Sequence, residues 1–532
     1  MKLKKFIACG LTFLLMVSAF GCSDKKASKD ADASTDVPKN MNAADLPILK
    51  TPETYTIAIK KDAQSAKNQS EKECSIYSEK KTNVKVNWNE IPSSGWTEKT
   101  NVMFASGDLP DAFAGGVDVV KNMKSLVALD PLIEKYGPHI RKMFNKVEGL
   151  KKAETAPDGK IYSLPAGDNS PKNLVTDNLY VNQNWLTRLN LKIPATLEEF
   201  YDVLKAFKTR DPNGNGKADE IPLAVSEAYY ASKLDCLYGM FGTLGNSSYI
   251  RIEDGKCIFT PAEEGYYEGL KFFHKLYSEK LMNQDYFTES MDQFTAKGFG
   301  PETTEGFVMS WTPNNIMEEE RSHSYVPVLP MKGPKGDSLW YRSSEPLGGM
   351  SAFTITTKCK EPAVLLRWYD FQNSSLDMVQ LWNYGPEGSG CWRKLDDGKW
   401  EVTEDNVPEG TSITAYRRTI GTVGTVTYNI YCDPDVEAYE NDQRTKKKIE
   451  TVEATLPFTP KEVMPVGLDT PENVDKRNLL STDISHYMSQ FQADAIMKGI
   501  NDNDWQSHLN KLKTLKINQY TKLWQDFYNS HK

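Results

Sequence analysis

The stretch from Pro194 to Leu223 constrains this chain more than any other, because nearly every residue in it has a definite structural meaning. Thr196-Leu-Glu-Glu199 is a capping box placed just after Pro194, so a helix starts there. Phe200, Val203, Leu204 and Phe207 recur at helical spacing and give that helix one apolar face. The loop Asp211-Pro-Asn-Gly-Asn-Gly-Lys-Ala-Asp-Glu220 follows at once. Its oxygen side chains fall at alternate positions, Asp211, Asn213 and Asn215, and Gly216 takes the sixth place. That is the front half of an EF-hand calcium loop: a hard cation wants several oxygens, and a chain curling around it offers alternate side chains and then a carbonyl, here that of Lys217. Asp219 and Glu220 would close the shell, because the twelfth place holds Pro222 instead of a bidentate Glu. No second helix follows at EF-hand distance, which favours a structural staple over a calcium sensor. A polar Gly/Asn turn without metal is the alternative that the residues leave open.

The same stretch carries a family likeness. Residues 184–191, 194–200, 204–207 and 211–223, taken together, resemble the solute-binding lipoproteins of carbohydrate ABC importers (family 1 type), and among them the alginate- and other oligosaccharide-binding proteins. Residues 103–113, 129–136 and 158–165 resemble the first lobe of that family, and 384–388 resemble a Tyr-Gly-x-Glu-Gly turn common in it. The resemblance implies an α/β protein with a two-lobed, type II periplasmic-binding-protein-like fold, a cleft between the lobes and a hinge of several crossing strands. It places lobe one at 51–175 plus about 346–385, and lobe two at 176–345 plus about 386–532. It implies one structural calcium ion on Asp211, Asn213, Asn215, the Lys217 carbonyl, Asp219 and Glu220. It also implies a monomeric, non-enzymatic receptor for an oligosaccharide, serving a separate permease and ATPase. Trp311, at the corner after the apolar run 306–310, is the first candidate for a sugar-stacking ring. Trp340, Tyr341, Trp382, Tyr384 and Trp392 follow, since all lie in segments expected to flank the cleft or hinge. A core role for Trp311 is the alternative.

The N-terminus reads as an export signal. Lys2, Lys4 and Lys5 precede an apolar run from Leu11 to Val17, and residues 1–21 are too short to count as a spanning helix. The signal ends at Ala19-Phe-Gly-Cys22, which resembles a lipobox, although Ala19 stands where Leu is usual and Phe20 is bulky. Cys22 would then carry diacylglycerol and palmitate-type acyl chains, and 22–50 would be a polar, disordered tether holding the body at the outer face of the cytoplasmic membrane. A plain secretory signal is the alternative.

The rest of the chain mainly excludes functions. Loss of Lys2, Lys4 and Lys5 takes the net charge from −8 to −11, which argues against nucleic acid as a partner. HExxH, GxSxG and P-loop signatures are absent, and the cysteines form no CxxC pair. Alternation at Tyr55, Ile57 and Ile59 and at Val84, Val86 and Trp88 predicts two strands with a helix over 69–80 between them. Residues 395–480 show no clear period, whereas three amphipathic helices are expected from 484 to the end. Two other functions stay open on sequence alone: the same fold holding a peptide or another solute, and an extracellular glycan hydrolase.

Overall fold

The computed structural model describes residues 36–343, 347–396, 400–409, 411–430 and 443–532. The leader 1–21, Cys22 and Cys432 lie outside the described residues.

Alternation builds the first sheet. Tyr55, Ile57 and Ile59 are at most 4% exposed on β1 (Glu53–Lys61). β2 (Val84–Pro92) and β3 (Ala112–Ala114) pair in parallel on either side of it. The helix expected between β1 and β2 is a short turn, Gln69–Glu71, followed by a helix at Glu73–Thr82. β4 (Ser163–Asp168) ends the first pass, and the chain crosses to lay down the second sheet. Its strands are β5 (Asn178–Asn182), β6 (Ile221–Ala224), β9 (Glu305–Ser310) and β10 (Tyr325–Val328), with a separate hairpin of β7 (Ile250–Glu253) and β8 (Lys256–Phe259) in between. The order is β10-β5-β9-β6: β5 is antiparallel to both β9 and β10, and β6 is parallel to β9. The chain then returns as β11 (Gly349–Ile355), which lies antiparallel between β3 and β4. β12 (Trp392–Lys394) and β13 (Trp400–Val402) form a hairpin, and β14 (Tyr428–Asn429) pairs in parallel with β4, completing the order β14-β4-β11-β3-β1-β2.

Each sheet carries its own core. In lobe two the Leu197–Thr209 helix buries Phe200, Val203, Leu204 and Phe207, as its spacing requires. Thr196 caps it by accepting from the Glu199 amide at 3.2 Å. Phe200 and Phe207 meet Phe307 of β9 with centroids 4.9 and 5.6 Å apart. Gly306 permits that approach, since a Cβ there would stand 2.4 Å from the Phe207 ring. The terminal helices Pro471–Lys498, Asp502–Thr514 and Ile517–His531 bury Ile484, Met488, Leu512 and Tyr520 in this same core. Tyr267 stacks on Trp505 at 5.1 Å, fixing the second of them. In lobe one Trp368 and Trp382 pack with Phe353 and the strand residues Ile57 and Ile355.

Two expectations on lobe boundaries are corrected. Residues 386–430 belong with lobe one, because β14 joins its sheet and the Ile413–Ile420 helix packs on it: Lys72 Nζ donates to the Arg418 carbonyl at 2.9 Å and the Gly421 carbonyl at 2.6 Å. The described part of the expected tether is folded as well. Met41, Ile48 and Leu49 are at most 1% exposed, and the Asn42 amide donates to the Ile48 carbonyl at 2.9 Å. Crossings between the lobes run through 168–178 and 328–349. In the second of these Gly348 (φ +70°) lies so close to β4 that a Cβ would stand 2.9 Å from the Ala166 carbonyl.

Candidate functional site

The loop after the Leu197–Thr209 helix closes on itself through oxygens. Asp211, at φ +44°, accepts on Oδ1 from the Gly214 amide (2.9 Å) and on Oδ2 from the Gly216 amide (3.1 Å). Asn213 and Asn215 accept from the Asn215 and Lys217 amides at 3.1 and 2.8 Å, and their own amide groups reach Asp219, both at 3.0 Å. Those two donations hold the Asp219 carboxyl below its usual range. Arg188 braces the loop from below, donating to the Pro212 carbonyl at 2.8 Å. Glu220 is different. It is buried, its Oε1 has no hydrogen-bond partner, and burial with Asp219 and Asp211 nearby pushes its carboxyl up. A buried carboxylate oxygen without a donor is costly, and a cation that prefers oxygen relieves it. The donor set of carboxylates, amide oxygens and a carbonyl therefore fits a calcium ion. Among the described residues no three Asp, Glu, His or Cys side chains converge as a ready-made cluster, so the neutral oxygens are part of any such site.

The second site lies between the lobes, at the carboxyl ends of the parallel strands, where open α/β sheets place their ligands. On the lobe-one side the Ile413–Ile420 helix is pinned to the segment after β1, with Arg418 Nε 2.8 Å from Asp62 Oδ2. On the lobe-two side stand the segments after β6 and β9. Thr414 and Asn315 bridge the gap with oxygens 3.4 Å apart. A cavity of about 430 Å³ opens here, lined by Tyr180, Thr312, Asn314, Tyr325, Ile413 and Lys448 among others. Lys448 is 1% exposed, donates to the Val175 carbonyl at 2.7 Å, and burial pushes its ammonium down to about 7.

Aromatic rings reach this cleft from both the expected and an unexpected place. Trp311 ends β9 half-buried, with the Lys448 ammonium 5.0 Å from its ring and its carbonyl accepting from the Tyr180 hydroxyl at 3.2 Å. Tyr341 is also half-buried. Tyr230, which the sequence reading missed, is 62% exposed and meets Tyr229 edge-on at 5.1 Å. The protein around it nevertheless pushes its hydroxyl above the usual phenol range, with Arg418 and Asp177 both acting on it. Open to water yet ringed by protein from both lobes is the signature of a side chain inside a cleft. The only sequence signal was a pair of tyrosines in a polar run after β6.

The other candidate rings are corrected by their burial. Trp382 is 0% exposed in the core of lobe one and donates to Gln372 Oε1 at 2.8 Å. Trp392 is 2% exposed against Trp400 and donates to the Gly385 carbonyl at 2.7 Å. Trp340, 2% exposed, donates to the Asp177 carbonyl at 2.8 Å and belongs to the lobe-two core. Tyr384 is buried, with the Arg417 guanidinium 3.8 Å from its ring centre. None of these four has a free face for a sugar.

Two α/β sheets with separate cores, crossed more than once by the chain and facing each other over an aromatic-lined cleft, define a two-lobed solute-binding protein of the type II fold. Residues 29–302 match the model of the bacterial extracellular solute-binding protein family, and the chain belongs to that family. It is 29% identical to the fructooligosaccharide ABC transporter substrate-binding protein FusA of Streptococcus pneumoniae, over 85% of this chain and 86% of that one. It is 26% identical to lipoprotein LipO of Bacillus subtilis over 76% of each chain. The polygalacturonan/rhamnogalacturonan-binding protein YtcQ, also of Bacillus subtilis, is 26% identical over 58% of this chain and 61% of that one. Among solved structures, FusA in complex with kestose superposes with a TM-score of 0.78 at 27% identity, covering 90% of this chain and 99% of that one. A FusA EF-hand mutant in complex with fructo-nystose gives 0.79 at 26% identity over the same shares.

Proposed function

We propose that this protein captures an oligosaccharide outside the cell and delivers it to the permease of an ABC importer, whose ATPase is a separate chain, and that it catalyses no reaction itself. The observation that carries this is the inter-lobe cavity flanked by the open ring of Tyr230 and the half-buried ring of Trp311. The similarity to FusA over most of both chains supports it. Aromatic faces cover the apolar faces of a sugar ring, and the polar groups of Thr312, Asn314 and Asn315 can meet its hydroxyls. Binding draws the lobes together about the crossings at 168–178 and 328–349, and the closed shape is what a permease can distinguish. A thermal-shift screen against a glycan library tests the reading, since a ligand of the folded state raises the melting point by mass action. A library in which no glycan stabilises the protein would count against it.

Tyr230→Ala and Trp311→Ala are each expected to weaken affinity for the sugar so found by about 1–3 kcal/mol, as for other aromatic anchors, with little change in melting temperature for Tyr230→Ala. Calorimetry on both variants checks this, and an unchanged Kd for Trp311→Ala would return that ring to the core.

The loop at 211–220 is assigned to one structural calcium ion, held by Asp211, Asn213, Asn215, the Lys217 carbonyl, Asp219 and Glu220. Such an ion supplies positive charge that cancels carboxylate repulsion. The orphaned Glu220 oxygen supports the assignment, as does the naming of an EF-hand in FusA. Cys22 is assigned as the lipidated residue anchoring a monomeric receptor at the outer face of the membrane; the similarity to LipO supports it, and no helix among the described residues is long and apolar enough to cross a membrane. Cys22→Ala is expected to move the protein from the membrane fraction to the medium with its melting curve intact. Retention of the variant in the detergent-extracted fraction would refute the anchor.

A further inference from the structure

We infer that the cleft is built for an uncharged oligosaccharide and turns away uronate-bearing ones; this rests on the oligosaccharide reading above. A site that selects sugar carboxylates needs cations with free N–H groups aimed at the ligand, ideally an arginine fork. The cations here are already engaged. Arg418 is tied to Asp62 at 2.8 Å and also donates to the Thr414 carbonyl at 3.2 Å. Arg417 lies 3.8 Å from the Tyr384 ring centre and gives its Nε to the Asn383 carbonyl at 3.2 Å. Lys233 is held by Glu227 at 2.7 Å, and Lys448 by the Val175 carbonyl at 2.7 Å.

The cavity itself is no more inviting to an anion. Its walls carry Glu319, Glu404 and Glu450 against Lys447 and Lys448, and His323 stands 3.3 Å from Glu319. Lys447 is exposed, as are Lys60 and Lys67 near the end of β1, where water leaves an ion pair worth little. Asp177 and Asp235 add negative charge at the hinge side, and burial pushes both carboxyls up, Asp235 to about 7. A uronate entering this cleft would shed its hydration among carboxylates without gaining a free cation, a loss that nothing returns. A neutral sugar needs only the hydroxyl, amide and carbonyl partners that the walls provide. The fold does not decide the point, since the family includes YtcQ, whose name carries a polyuronide.

The test is calorimetry on the purified full-length protein with two length-matched sets: neutral fructo- and xylo-oligosaccharides, and oligogalacturonates with oligoalginates. A neutral sugar is expected to bind with a Kd that changes less than about twofold between low and high salt, because no ion pair is there to screen. The uronates are expected to bind at least about 100-fold more weakly, a difference of about 2.7 kcal/mol. In Glu450→Lys, on an exposed helix position that tolerates lysine, affinity for oligogalacturonate is expected to rise about tenfold and to fall with salt. A uronate that binds wild type as tightly as any neutral sugar overturns the inference while leaving oligosaccharide capture standing. An unmoved uronate affinity in Glu450→Lys overturns the electrostatic cause. Failure of both sets, and of the wider glycan library, overturns oligosaccharide capture itself.

Discussion

Trp382→Ala is expected to destabilise the protein by about 3–5 kcal/mol, the usual range for deleting a buried aromatic ring. The ring lies at 0% exposure, edge-on to Trp368 with centroids 5.9 Å apart and to Trp88 at 6.5 Å. Its removal leaves a cavity that three surrounding elements cannot collapse into. It also strips Gln372 Oε1 of its indole donor, while the same Gln372 keeps donating to Ser78 Oγ at 2.7 Å. A buried acceptor left unmet adds its desolvation to the lost packing. At about 2–4 °C per kcal/mol for lobes of this size, the melting midpoint of lobe one should fall by roughly 10 °C. Urea unfolding gives the free energy, and calorimetry on the folded fraction gives sugar affinity. If Trp382 were a sugar-stacking ring, the pattern would reverse: affinity lost, stability kept.

The contrast between Trp382 and Tyr230 shows what the sequence could reveal. The 196–223 stretch was legible because its signals are local: a cap, an apolar stripe four residues wide, and a turn whose oxygens sit at fixed offsets. Residues Phe200 to Phe207 and the strands at 55–59 and 84–88 took the places their periods demand. Burial in a core and exposure in a cleft, however, are decided by elements far apart in the chain. Trp382 was placed at the cleft because it neighbours the hinge, yet its partners are Trp88 and Gln372. Tyr230 drew no notice because Arg418 lies nearly two hundred positions away. The misassigned 386–430 segment has the same origin, since only the two-residue strand β14 ties it to β4. At 40–50 a polar composition hid Met41, Ile48 and Leu49, three apolar contacts sufficient to fold the segment onto lobe one. Lys448 sits on the Gln443–Thr455 helix, whose run of lysines and threonines shows no stripe to read.

Removal of calcium is expected to lower the melting temperature by roughly 5–10 °C while leaving sugar affinity of the folded protein nearly unchanged. Stabilisation by mass action is about 2.7 kcal/mol when free ion exceeds Kd about a hundredfold, and each kcal/mol moves the midpoint of such a lobe by about 2–4 °C. The residues themselves give the reason. Asp211, Asp219 and Glu220 set three carboxylates in one short loop, and Glu220 keeps a buried oxygen without a donor. The loop joins the Leu197–Thr209 helix to β6, next to β9 in the sheet, so loosening it frees one end of the helix that carries Phe200 and Phe207. The cleft residues Tyr230 and Trp311 come from the opposite ends of those strands, which is why affinity should hold. A pH dependence follows from Glu220. Its folded carboxyl is raised above the unfolded 4.5, so its contribution to metal-free stability is present below about pH 4.5 and is lost as pH rises through the folded value. The gap between melting curves with calcium and with EDTA should therefore widen from pH 5 to pH 7. Glu220→Gln should narrow that gap, because a neutral amide removes both the ion's ligand charge and the repulsion. Magnesium should restore little, since the loop offers many protein oxygens and little room for a hydrated ion. Asp211→Ala should reproduce the effect of EDTA, because it removes the acceptor on which the Gly214 and Gly216 amides converge. Identical curves for wild type and Asp211→Ala, with and without EDTA, would reduce residues 211–220 to a polar turn.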